Sequence, residues 1–233
     1  MKKAAIFFLF FWLLVTARGY AQEKRVAVIS FYLENRIKAS DEPVPAKDSV
    51  FNVLPLLKHF HDQFFKNLVQ ELPFAVIPEH QVLGNSDYQN FIPGGNSVED
   101  ILAFKNEITV PGYKIILSQK KPADEQAMLQ LFPDCDGVME VRLDLSLETR
   151  GFGGMSLVKA NARATFLLFN KSGRKMLTLT ENALSPLSGT HIAGIPFMTA
   201  RHLLPLCESA VNELITVMQH NLPDDMRKAA AKL

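Results

Sequence analysis

The sequence predicts an α/β fold: a mixed sheet of about five strands, with a parallel βαβ start and an antiparallel three-strand meander, flanked by helices. Three observations predict it. From Cys135 to Ser185 three strand-like runs follow one another. In the first, Met139, Val141, Leu143, Leu145 and Leu147 alternate with Glu140, Arg142, Asp144, Ser146 and Glu148, so one face is buried and the other is wet or covered by polar neighbours. Near the N-terminus, Val26 to Leu33 is a nearly continuous apolar run led by β-branched residues, the pattern of a strand covered on both faces. Between it and a short run at Phe74 to Ile77 lies a helical period. Strand, helix, Leu-Pro, strand is the return leg of a right-handed βαβ unit with parallel strands.

Residues 1–21 read as a signal peptide. Met1-Lys2-Lys3 is a basic start, Ala4 to Ala17 is uncharged and apolar, and Gly19 and Ala21 are small residues placed for cleavage after Ala21. The apolar core is shorter than the roughly 20 residues that span a bilayer, so the segment points to export, with an uncleaved anchor as the alternative. The first cysteine is Cys135, too far downstream for lipoprotein-type attachment. The chain carries 25 basic and 24 acidic groups; without Lys2, Lys3 and Arg18 the remaining 212 residues carry 22 against 24. That balance gives no field for nucleic acid and none for strong membrane association after cleavage. The length suits a single α/β domain over 22–222, with an irregular insertion at about 84–122 and a frayed tail at 223–233.

After the first strand, Glu34 to Asp48 holds Pro43, Pro45 and many charges and reads as a loop. Val50, Val53, Leu54, Leu57, Phe60, Phe64, Leu68 and Leu72 then recur at three- and four-residue steps, which predicts an amphipathic helix from about Ser49 to Leu72. Asp48 or Ser49 caps it, Pro55 moves its ordered start toward Leu54, and Pro73 stops it. Gly84 to Pro122 is the least regular stretch. Ser97-Val98-Glu99-Asp100 resembles a capping box, and Tyr113 to Leu117 suits an extra strand or edge segment. Ala123 to Phe132 reads as a short helix. In the second meander strand Ala160, Ala162, Ala164, Phe166 and Leu168 share one side; Leu177 and Leu179 mark the third. Gly151-Phe152-Gly153-Gly154 joins the first two strands, and Asn170-Lys171-Ser172-Gly173 the last two, with Gly173 suited to a left-handed turn position. Ser185 to Thr199 reads as loop. A last helix, carrying Leu203, Cys207, Ala210, Leu214 and Val217/Met218 as its buried stripe, ends at Leu222-Pro223.

Lys24 to Phe31 (KRVAVISF) resembles the opening strand of periplasmic domains of the TolB N-terminal, CsgG and LpoB-type group. Ala123 to Val141 is similar to that group's helix-to-strand step, and Phe166 to Thr180 to its hairpin. The resemblance implies a mixed five-stranded sheet flanked by helices, and a role in the cell envelope through binding other proteins. It brings no catalytic residue.

Motifs for chemistry are sparse. Cys135 and Cys207 are the only cysteines; they form either one disulfide in an oxidising compartment or two buried free thiols. Asp134 and Asp136 would raise the Cys135 pKa, the wrong direction for a nucleophile. His59 and His61, two apart on a helix, point about 200° apart and do not chelate one ion. His80, His202 and His220 have no neighbours that suggest a role. The Gly151 to Gly154 loop lacks the Lys and Ser/Thr of a phosphate loop, and no Gly-x-Ser-x-Gly or His-Glu-x-x-His occurs. No cofactor or metal site is expected. Glu140, Arg142, Asp144, Lys159 and Arg163 form either a recognition face or a solvated sheet surface with cross-strand pairs. The reading is a non-enzymatic exported envelope protein with an envelope-protein partner. The alternative is a small-ligand or glycan-binding periplasmic module using Tyr88, Phe91, Phe152 and His191.

Overall fold

Alternation in the meander becomes a long antiparallel ladder. In the computed structural model, which describes residues 24–37, 51–93, 107–116, 122–152, 155–192, 198–231 and 233, β4 (Gly137–Phe152) and β5 (Met155–Asn170) pair without a register break from Gly137↔Asn170 to Phe152↔Met155. The signal peptide, the Asp48/Ser49 cap and the Ser97 to Asp100 capping box expected from sequence lie outside the described residues. β6 (Lys175–Leu184) pairs with the other edge of β5. β1 (Arg25–Asn35) runs parallel to β4 and, at its start, parallel to β2 (Ala75–Val76). The sheet order is β2-β1-β4-β5-β6. β3 (Glu107–Thr109) adds antiparallel to β1, and β7 (Gly189–Ile192) antiparallel to β5. The mixed sheet, its parallel start and its antiparallel meander are those the sequence predicts.

The first sheet face carries Val28, Phe31 and Leu33 from β1, Met139 to Leu145 in alternation from β4, and Ala160, Ala162, Ala164, Phe166 and Leu168 from β5. All are buried in one cluster with α1 (Leu54–Gln63) and α5 (Ala200–Ala230). The three alanines leave room for α5, whose own Ala200, Cys207 and Ala210 are fully buried, so backbone layers approach closely and pack densely. The opposite face carries Ala27, Ile29, Val138, Leu167 and Phe169 under α2 (Glu79–Leu83), α3 (Ser86–Asn90) and α4 (Pro122–Leu131), which contribute Val82, Tyr88, Met128 and Leu129.

Described parts of the 84–122 region are stitched to β1. A bulge between Val28 and Ser30 takes Ile29 out of the β1–β4 ladder, and the buried Tyr88 phenol donates to the Ile29 carbonyl at 2.8 Å while accepting from the Lys114 N–H at 3.0 Å. Ser30 Oγ donates to the Lys114 carbonyl at 2.7 Å. The bulge frees a carbonyl that a buried phenol then satisfies.

Several boundaries differ from the sequence reading. The 49–72 helix is α-helical only over Leu54–Gln63; Phe64–Leu68 is a π turn and Val69–Glu71 a 3-10 turn. The wider turn lets Phe60, Phe64 and Leu68 all reach the sheet. The extra strand is Glu107–Thr109, and among the described residues of the Tyr113 to Leu117 stretch Lys114 bridges to Ser30 as an edge segment rather than a strand. The 185–199 stretch is not wholly loop, because β7 extends the β5 edge beyond β6. The last helix does not stop at Pro223 but runs to Ala230. Leu222, Met226 and Ala229, spaced four and three apart, are all buried, and their burial offsets the roughly 3 kcal/mol that an interior proline costs.

β6 and β7 are separated by a bulge built around Ser185, which is fully buried. Its N–H donates to the Ala160 carbonyl at 2.8 Å, while its hydroxyl accepts from the Ala160 N–H at 3.2 Å and turns toward the Leu187 carbonyl. The side chain replaces a ladder hydrogen bond that the bulge removes. Ser185→Ala strands the Ala160 N–H in the interior and should cost about 1–3 kcal/mol in denaturant unfolding, whereas Ser188→Ala, at an exposed neighbour, should stay within about 0.5 kcal/mol.

Candidate functional site

Beyond the apolar half of the second face lies a charged half, and its pairs follow from register. Tyr32, Arg142, Thr165 and Thr180 lie across β1, β4, β5 and β6; Glu34, Asp144, Arg163 and Asn182 form the next row. Ser146 and Asn161 pair beyond them, then Glu148 and Lys159. The acidic members of the predicted recognition face are not solvated: Glu140 is 2% exposed and Asp144 6%. Arg163 is exposed and Lys159 half-buried.

Burial makes these charges a network. Arg142 Nε donates to Asp144 Oδ2 at 3.1 Å, and Arg36 Nε to Glu34 Oε1 at 2.9 Å, with Arg36 Nη2 also 4.0 Å from Asp144 Oδ1. Glu34 and Asp144 are direct neighbours across the parallel ladder, and two carboxylates at that spacing do not both ionise cheaply. Burial, then the neighbouring Glu34, raises the Asp144 pKa above the usual range despite Arg142. Burial also opposes ionisation of Glu34, but hydrogen bonds from Arg36 and Asp144 and the charges of Arg36 and Arg142 outweigh it and hold Glu34 low. Asp144 is therefore the harder of the two to ionise, and its Oδ1 accepts no hydrogen bond. Burial likewise pushes the Tyr32 phenol well above the tyrosine range, even with Arg142 beside it. Arg163, opposite Asp144, and Lys159, opposite Glu148, make no ion pair among the described residues. Both acids are engaged elsewhere, so these two cations stand free on β5.

A second constellation surrounds His61. Its Nε2 lies 2.7 Å from Glu79 Oε1 and its Nδ1 3.1 Å from Asp62 Oδ1; both contacts are hydrogen bonds together when both ring nitrogens carry hydrogen. Phe31 meets the imidazole edge-on at a centroid distance of 4.9 Å, with Phe65 at 4.8 Å and Tyr113 at 5.9 Å. Burial, reinforced by the Glu79 charge, pushes the Tyr113 phenol far above its ordinary value. The group opens into a cleft of about 420 Å³ lined by Lys58, His61, Asp62, Glu79, His80 and Val110 among others. The π turn beginning at Phe64 aims Phe65 at His61, and the described segment beyond β3 supplies one wall. Among the described residues the lining contains no serine, threonine or cysteine nucleophile. Among the described residues no three His, Cys, Asp or Glu side chains could hold a metal ion. Sequence spacing gives no sign of this site: His61 and Glu79 lie on different elements that meet only when α2 folds beneath α1.

Other candidates fall out differently. Cys135 and Cys207 are both free and buried, and they belong to the cores on opposite faces of the sheet, so the sheet itself separates them. Burial pushes the Cys207 thiol up to about 12 and raises that of Cys135, where Asp134 and Asp136 add to it against Arg25 and Lys171. Tyr88 is fully buried and bonded on both sides, a structural group rather than a pocket rim. Phe91 packs against the second core. The side chains of Phe152 and His191 lie outside the described residues. His59 is exposed and bonds Asn212 of α5 at 2.9 Å, while His80 joins the His61 cleft.

The opposed directions of Asp144 and Glu34 have a measurable consequence. Asp144 binds its proton more tightly folded than unfolded, so its contribution to stability is present below the ordinary carboxylate range and lost as pH rises through its raised pKa. Glu34 works the other way: its contribution is present above that range and lost as pH falls through its lowered pKa. Asp144→Asn keeps a neutral hydrogen-bonding side chain, so it should gain on wild type in unfolding titrations as pH rises above the ordinary carboxylate range. Asp144→Ala, which takes the acceptor from Arg142, should lose about 1–3 kcal/mol throughout. A difference between Asp144→Asn and wild type that stays flat as pH rises would contradict the raised Asp144 carboxyl.

No family model matches the chain, and no curated protein sequence does. Among solved structures it is similar to a neuraminyllactose-binding hemagglutinin homolog from Helicobacter pylori, at 7% identity and a TM-score of 0.41 over 91% of each chain. It is similar to lipoprotein GNA1162 from Neisseria meningitidis, at 14% identity and a TM-score of 0.32, over 83% of this chain and 99% of that one. It is also similar to the hypothetical protein CT253 from Chlamydia trachomatis, at 12% identity and a TM-score of 0.36, over 84% of this chain and 96% of that one.

Proposed function

We propose that this chain is an exported protein of the bacterial envelope, placed in the periplasm by residues 1–21, that binds another envelope protein through the free cations of the β4–β5 hairpin. One observation carries the reading: Lys159 and Arg163 share the second face, four residues apart on β5, and neither is neutralised although acids lie opposite both. A solvated sheet surface ordinarily pairs such charges across strands. Here Asp144 serves the buried network and Glu148 is taken by Arg150 and Asn161, so the cations remain for an acidic partner surface, and rim charges of this kind steer association and select the partner. The hairpin also outruns its neighbour, since β1 pairing ends at Asn35↔Leu145 while β4 continues to Phe152. The opening KRVAVISF and the Asn170 to Gly173 hairpin, which resemble the TolB, CsgG and LpoB-type domains, favour assembly or regulation of the envelope. No helix among the described residues is long and apolar enough to cross a membrane.

A second reading, a small-ligand or glycan-binding module, is favoured by the His61 cleft. Lys58, His61, Glu79 and His80 converge there beside aromatic rings, and few polar groups over an apolar floor suit a small polar ligand.

In-cell crosslinking followed by purification separates the two. Wild type should carry one envelope protein at stoichiometric yield, and Lys159→Glu with Arg163→Glu should abolish that band while leaving the unfolding midpoint within about 0.5 kcal/mol of wild type. Recovery of the wild-type chain alone at native abundance would overturn the partner reading. A sugar or amino-acid panel that stabilises wild type but not His61→Ala would support the second.

A further inference from the structure

Charge on this chain is unevenly placed, and cations gather at the end of the sheet where the chain enters. Val26 of β1 lies beside Gly137 of β4, and Gly137 beside Asn170 of β5, so Lys24, Arg25 and the turn from Asn170 to Lys175 share one end. Arg25 and Lys171 both lie close enough to act on the Cys135 thiol. Lys171, Arg174 and Lys175 are exposed and Arg25 is half-buried. None of these four forms an ion pair among the described residues. The neighbouring acids do not balance them. Asp136 takes the Arg25 N–H at 2.9 Å and lies 3.6 Å from Lys24 Nζ. The last turns of α5 reach the same end, with Leu233 against Gly137, but Asp224 is paired with Arg227 and Asp225 with Lys228. Of these acids Asp134 is left unpaired. The turn also holds its cations in place. Asn170 Oδ1 accepts from the Ser172 N–H at 3.1 Å, the Ser172 hydroxyl at 2.7 Å and the Arg174 N–H at 3.1 Å, and Gly173 takes the left-handed position at φ 74°. Little backbone freedom is left to lose when these charges meet a surface.

The sequence indicates which surface. The apolar run Ala4 to Ala17 ends seven residues before Lys24, a reach of at most about 25 Å. While that run sits in a bilayer, as a signal in transit or as a retained anchor, this end of the sheet lies within that reach of the membrane. Cleavage after Ala21 leaves the cations in place, and the new α-amino group of Gln22 offsets Glu23. The near-even total of 22 basic and 24 acidic groups conceals this division. We propose that this end of the sheet is a membrane-facing surface, on which Arg25, Lys171, Arg174 and Lys175 bind anionic phospholipid headgroups reversibly. Each cation near such a surface is worth roughly fivefold in partition, so the four together give measurable but releasable binding. The surface is separate from Lys159 and Arg163, which lie toward the other end of β5, and neither proposal needs the other. With the basic turn on the bilayer, the β4–β5 hairpin tip points away from it.

Flotation of residues 22–233 with mixed phosphatidylglycerol and phosphatidylcholine vesicles should carry the protein at about 0.01 M salt. It should carry much less at about 0.15 M, where the Debye length has fallen from about 30 to about 8 Å. Vesicles of phosphatidylcholine alone should carry none. Lys171→Gln with Arg174→Gln and Lys175→Gln should lower the partition about a hundredfold, whereas Lys159→Glu with Arg163→Glu should leave it within about twofold. A bimane label on Ser172→Cys should be quenched by nitroxide-headgroup lipid in the anionic vesicles, while one on Ser188→Cys, near the other end of β5, should not. No partition into anionic vesicles at low salt, or a partition that the triple variant leaves unchanged, overturns the proposal. So does capture of a soluble acidic protein by these residues while the vesicles carry none. Should the triple variant lose its native circular dichroism, Lys171→Gln alone, expected to cost about fivefold, and the two labels decide.

Discussion

Everything in this molecule depends on the two faces of β4 and β5 being made unlike each other. Because the ladder runs sixteen residues without a break, a single alternation assigns every side chain of both strands to a face, and a slip of one residue would exchange the two sets. The first face is small and apolar at Ala160, Ala162 and Ala164, which admits a 31-residue helix lying flat across it. The second is apolar under α3 and α4 and charged beyond them. Helix packing, the buried network and the free cations are three results of one register.

That register is what the sequence makes legible. The Met139 to Leu147 alternation names the buried face of β4 residue by residue, and the Val26 to Leu33 run identifies the strand covered on both sides. What escapes is whatever depends on objects distant in sequence. Pro223 looks like a helix stop because local propensity knows nothing of the sheet that buries Leu222, Met226 and Ala229. β7 is invisible because four residues with a glycine carry no period, and only the Ser185 bulge returns the chain to the β5 edge. Cys135 and Cys207 leave a bridge open as counts, and only the topology sets a sheet between them.

The charged face is the most informative disagreement. Read as spacing, Glu140, Arg142, Asp144, Lys159 and Arg163 are one strip. Folded, they divide: Glu140 and Asp144 are buried, and Arg142 is tied to Asp144 and Tyr32, while Lys159 and Arg163 are left out. A buried charge group of this kind gives little net stability against an apolar alternative, but breaking it is costly. It therefore fixes β1 against β4 in one register and keeps Asp144 from neutralising Arg163 opposite it. The same division separates framework from surface at the other site, where Phe31, Phe65 and Tyr113 hold His61 in place and Lys58 and His80 remain at the mouth of the cleft.

Edges follow a different logic from faces. A face is closed by packing, and both faces here carry helices; an edge is closed only by hydrogen bonds. β1 can be closed by fragments as short as β2 and β3 because its bulge and the Tyr88 phenol dispose of the groups those fragments miss. β6 has no such devices at its centre, and its Thr178 and Thr180 side chains stand exposed. A strand that is long, β-prone and open at its edge is a template for pairing with another chain.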